Sequence, residues 1–78
     1  MIYEDIENTI WKINIDDSFH VSIKEELLSL ATNFNITFSD KESLKFKSSQ
    51  IEAIQKLVEE LLSKNKLESS VIELVMVD

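Results

Sequence analysis

The chain has 78 residues and a formal charge of −7, and it contains no glycine, proline, cysteine or arginine. Those absences exclude a glycine-rich phosphate loop, a disulfide or thiol nucleophile, a cysteine zinc site and the bidentate arginine fork that grips phosphate or guanine. So short a chain is expected to build one core, a single domain over 1–78, and its acidity makes nucleic acid and anionic membranes poor partners.

The charge is uneven. Residues 1–40 carry eight acids against Lys12 and Lys24, whereas residues 41–78 carry seven acids against six lysines. Residues 1–15 support two readings. Ile2, Ile6, Ile10 and Ile13 share one face of a helix, while Thr9, Trp11, Ile13 and Ile15 share one face of a strand. The β propensity of Thr-Ile-Trp-Lys-Ile-Asn-Ile favours a strand at about 9–15, with Trp11 packed in the core. The opening residues show neither the basic stretch nor the apolar run of a signal peptide, and no segment approaches the ~20 apolar residues of a membrane span. A cytoplasmic location is the expectation, and a lack of cysteine fits it.

Asp16-Asp17-Ser18-Phe19-His20 follows the first strand. Two carboxylates and an imidazole could hold a divalent cation, or Asp17 and His20 could exchange a proton. No fourth ligand stands at motif spacing, and aspartates at such a junction ordinarily bond their own backbone as turn formers. Neither a metal nor a cofactor is expected.

Ser22-Ile-Lys-Glu25 matches a capping box, so a helix should open there, with Ile23, Leu27, Leu30, Ala31 and Phe34 as its apolar stripe. Asn35-Ile-Thr-Phe-Ser39 and Leu44-Lys-Phe-Lys-Ser48 alternate apolar with polar residues and read as a hairpin joined by Asp40–Ser43. A second box, Ser49 with Glu52, opens a helix carrying Ile51, Ile54, Leu57, Val58, Leu61 and Leu62. It should stop near Lys64-Asn65-Lys66, with asparagine supplying the left-handed residue. Ser22 and Ser49 are thereby explained as caps rather than nucleophiles. Val71-Ile-Glu-Leu-Val-Met-Val77 is dense in β-branched residues and reads as a strand covered on both faces.

The resulting order, βαββαβ, is the ferredoxin-like split βαβ plan: two helices on one face of a four-stranded antiparallel sheet. A helix over 2–13 would give ααββαβ instead. The expected core is Ile23, Leu27, Phe34, Ile36, Phe38, Leu44, Phe46, Ile51, Ile54, Val58 and Leu61.

The plan hosts unrelated activities and cannot choose among them. An RNA reader of this topology needs exposed aromatics among basic residues, and the nearest counterpart, Leu44-Lys-Phe-Lys, has one aromatic on its buried side. Metal-carrying and acyl-phosphate-hydrolysing domains of this shape need the paired cysteines or the arginine that are missing here. The expectation is a non-enzymatic interaction module that forms a homodimer, with another protein of basic surface as a further candidate partner. Its interface would be Val71, Glu73, Val75 and Val77 on an edge strand, unless Ile2, Tyr3 and Ile6 fold over those valines. An acidic inhibitor, mimicking nucleic acid in a basic groove, is the alternative. An enzyme using Asp16, Asp17 and His20 ranks third.

Overall fold

The computed structural model describes residues 9–77. Three strands, β1 (Ile10–Ile15), β2 (Lys45–Lys47) and β3 (Ile72–Val77), and two helices, α1 (His20–Asn33) and α2 (Ile51–Asn65), alternate along the chain. The sheet is antiparallel in the order β2-β1-β3. Strand β1 settles the ambiguity at 10–13 in favour of a strand. The helical alternative over 2–13 fails there, and its remaining positions, Ile2 and Ile6 among them, lie outside the described residues.

The expected fourth strand does not form. Residues 35–39 keep the alternation, since Ile36 and Phe38 are buried while Asn35, Thr37 and Ser39 face water. Yet the hairpin reaches only one bridge, Asp40 with Lys45. The amides of Ser39 and Asp40 both donate to Lys45 O, at 2.8 and 3.4 Å. Two residues facing one is a bulge, and it ends the ladder. On the other strand only Phe46 and Lys47 follow before the tight turn Ser48–Gln50.

Both helices start differently from the capping boxes in the sequence. Asp16 Oδ1 accepts from the Ser18 amide at 2.9 Å, which starts a tight turn at Asp17–Phe19 that runs straight into α1. Ser22 therefore lies inside the helix and Phe19 stands at the N-cap. Likewise Ser48–Gln50 makes a tight turn before α2, and Gln50 stands at its N-cap with no side-chain bond. An earlier turn supplies the amide partners, so the boxes are not needed.

The C-termini are built alike. After α1, Ile36 N donates to Ala31 O at 2.9 Å and Asn35 N to Thr32 O at 3.2 Å. After α2, Leu67 N donates to Leu62 O at 2.9 Å and Lys66 N to Ser63 O at 3.2 Å. These are Schellman motifs, closed by the apolar residues Ile36 and Leu67. The left-handed residues are Asn35 and Lys66, with φ of 57° and 55°. Asn65, expected to be the stop, instead donates from its side chain to Leu61 O (2.9 Å) and Glu26 Oε1 (3.2 Å). A lysine in the left-handed region bears steric strain that glycine escapes, so Lys66→Gly should raise stability by about 0.5–1 kcal/mol in thermal unfolding.

One apolar cluster joins the layers. Ile13, Ile15, Phe46 and Ile72 of the sheet meet Ile23, Leu27 and Ala31 of α1 and Ile54, Leu57, Val58 and Leu61 of α2. Phe46, Leu27, Ile54, Leu57 and Leu61 are wholly inaccessible to solvent. Phe34 and Ile51, expected inside, are half-buried against this cluster, as is Trp11. A clip crosses the helices at the surface: Lys64 Nζ lies 3.1 Å from Glu26 Oε2. The Lys64 ammonium, then the Asn65 amide, hold Glu26 below its ordinary value of 4.5. A lowered carboxylate stabilises the fold above the unfolded-state pKa, and that contribution disappears as pH falls through the folded-state value. Lys64→Ala should thus cost no more than about 1 kcal/mol at neutral pH, and the gap to wild type should close in acid denaturation profiles below 4.5.

Candidate functional site

The loop Asp16–His20 is a turn. Asp16, Asp17 and His20 are exposed, and Asp16 spends one carboxylate oxygen on the Ser18 amide. Asp16 and Asp17 line a shallow depression with Asn14, Ser70 and Glu73, and Asp17 also lines a second one, with His20, Glu42 and Ser43. Among the described residues, no group of three or more histidines and carboxylates is placed to hold a metal ion. No helix among them is long and apolar enough to cross a membrane.

Among the described residues strand β3 is a sheet edge, and the backbone bonding tells which of its groups are spent. Ile13 N donates to Leu44 O at 3.1 Å and Ser48 N to Thr9 O at 2.8 Å, so odd-numbered residues of β1 bond toward β2. Asp16 N donates to Val71 O at 2.9 Å, so even-numbered ones turn toward β3. The facing pairs Lys12↔Val75 and Asn14↔Glu73 are therefore the hydrogen-bonded pairs of that ladder. By alternation, Glu73, Val75 and Val77 spend their amides and carbonyls on β1. Those of Leu74 and Met76 point to the outer edge.

The side chains divide differently from the backbone. Ile72 is buried and Leu74 half-buried against the helices, while Met76, on the same side, is 58% exposed. Val75 and Val77 are half-buried on the face that is helix-free among the described residues, and Glu73 beside them is exposed. Val71 does not share that face. It belongs to the tight turn Ser69–Val71 and is only 8% exposed, packed in the core. A reading of 71–77 as one uninterrupted strand places Val71 with Val75 and Val77; the turn before β3 rotates it inward.

At the opposite edge the turn 40–45 is braced locally. The Glu42 amide donates to Asp40 Oδ1 at 3.0 Å, and Lys24 Nζ donates to Glu42 O at 2.7 Å, tying α1 to the loop. The Ser43 side chain, then the Glu42 amide, hold the Asp40 carboxyl below the usual aspartate value of 3.8. Leu44, wholly buried, closes the turn with φ of 58°. That strain is accommodated because the leucine side chain is locked in the core.

The helix-free face was the part least apparent from sequence. Lys12 faces Lys45 across the β1–β2 ladder and Ile10 faces Lys47, while Ile10 and Lys12 face Val77 and Val75 on the other side. Alternation in Leu44-Lys-Phe-Lys marks two wet lysines, but only the register reveals that they converge with Lys12. No protein-family model, curated protein or solved structure matches this chain.

Proposed function

We propose that the chain is a non-enzymatic protein-interaction module that self-associates by adding β3 of one copy to β3 of another. We read its fold as a ferredoxin-like plan without the outer strand, because the order β2-β1-β3 with β1 central and antiparallel to both neighbours is three-quarters of that plan. The observation that carries the function is the outer edge of β3. It is six residues long, and edges that stay single are normally guarded by lysine, proline, a bulge or an inward charge. Glu73 is its one charge, and that side chain lies on a sheet face rather than in the edge plane.

An antiparallel two-fold pairing through the outward groups of Leu74 and Met76 would use the same surface on both copies. It would also cover Met76, which otherwise stands in water. Sedimentation equilibrium tests this reading: a concentration-dependent dimer is expected, and a monomer at hundreds of micromolar would refute it.

A second reading, an acidic inhibitor that imitates nucleic acid, draws on Asp16, Asp17 and Glu73 around one depression. Binding to a basic partner would then weaken steeply with salt, whereas edge pairing through backbone bonds would not.

A further inference from the structure

We propose that the helix-free face of the sheet is a second docking surface, shaped for an acidic, partly apolar segment of another protein. The face is composed of Ile10, Lys12, Lys45, Lys47, Val75 and Val77, brought together by the register of all three strands. The three apolar residues form one contiguous half-buried patch, and the lysines form a basic strip beside it. In a chain of net charge −7, three of eight lysines gather here.

The opposition of these lysines works against the fold. Lys12 and Lys45 are directly opposed, and like charges facing across an antiparallel ladder destabilise the sheet. None of the three forms an ion pair among the described residues. Among the described residues, Glu73 faces Asn14 further along this face, and Asp17 and Glu42 line a depression with Lys12; none of them is ion-paired with a lysine of the strip. A repulsive cluster beside an apolar patch is what a partner with carboxylates flanking apolar side chains complements: burial drives the contact and charge sets orientation and on-rate. Screening confines attraction to roughly 8 Å at physiological salt, so the charges beside a bound segment matter more than the net charge of the chain.

A polypeptide is favoured over nucleic acid by the same residues. Strands that read single-stranded nucleic acid present aromatic rings for stacking, and among the described residues this face has none, since Trp11 and Phe46 point to the core side.

The test uses the isotope-labelled full chain in amide-shift titrations with three probes: a glutamate/leucine copolymer, a lysine/leucine copolymer of equal composition, and oligothymidylate. The glutamate copolymer should shift the amides of Ile10, Lys12, Lys45 and Lys47. The double variant Lys12→Gln/Lys45→Gln should bind it about tenfold more weakly, with an unchanged or raised melting temperature. Met76→Pro, which blocks the β3 edge, should leave this binding intact, so that failure of self-association and failure of this surface are read separately. The proposal is overturned by no shift on that face, by equal response to the lysine copolymer, by stronger response to oligothymidylate, or by undiminished binding in the double variant.

Discussion

Phe46→Ala is expected to remove most of the stability of this protein. The ring is wholly buried at the middle of β2, opposite Trp11 and beneath both helices. Truncating a phenylalanine in such a place costs about 3–5 kcal/mol, through lost burial and a cavity that neighbours fill only in part. A chain of this length holds roughly 4–12 kcal/mol in total, so the variant should unfold at much lower urea concentration and be partly unfolded at 37 °C. Phe34→Ala supplies the contrast. Phe34 is half-buried in the turn after α1 and should cost distinctly less. Equal losses in chemical denaturation would mean that the core is not centred on β2.

Proline at neighbouring positions of β3 should have opposite consequences. Val75→Pro removes an amide that bonds to β1 and should destabilise the fold by about 3 kcal/mol, as proline does wherever a ladder bond and its geometry are lost. Met76→Pro removes an amide that points outward, on a side chain already exposed, and proline is tolerated at that kind of edge position. It should leave thermal stability within about 1 kcal/mol of wild type while lowering self-association at least tenfold. Circular dichroism melts and sedimentation equilibrium on the two variants check both halves. A folded Val75→Pro together with an unfolded Met76→Pro would mean that the parity of β3 is reversed. A dimeric Met76→Pro would move the interface elsewhere.

How much of this was legible in the sequence depends on the range of the forces involved. Helical and strand periodicity located β1, α1, β2, α2 and β3, and nine of the eleven expected core residues are buried, because side-chain direction follows local spacing. Pairing is not local. Ile36 and Phe38 point inward as their alternation requires, but no row of letters reveals that Ser39 and Asp40 compete for one carbonyl and close the ladder. Caps failed for a related reason. Ser22-Ile-Lys-Glu25 is a sound local signal that lost to an earlier one, Asp16, able to catch the Ser18 amide two residues on. Of the expected interface, Glu73, Val75 and Val77 sit on one face of an edge strand, while Val71 was drawn inside by a turn the composition did not announce. The lysine strip needed the register of two strands and was invisible without it.

The pairing of Ile10 with Val77 joins two residues from opposite ends of the described chain. During synthesis on a ribosome, β1 emerges early but keeps one flank open until β3 has left the exit tunnel. The helices can form before then, whereas Ile13 and Ile15 wait for the strand that seals them. Closure of the sheet is in this sense gated by β3, and the interval before β3 appears is when the central strand can find a wrong partner. Once closed, the ends of the sheet lie side by side. A chain order that placed β3 ahead of β1 would shorten that interval.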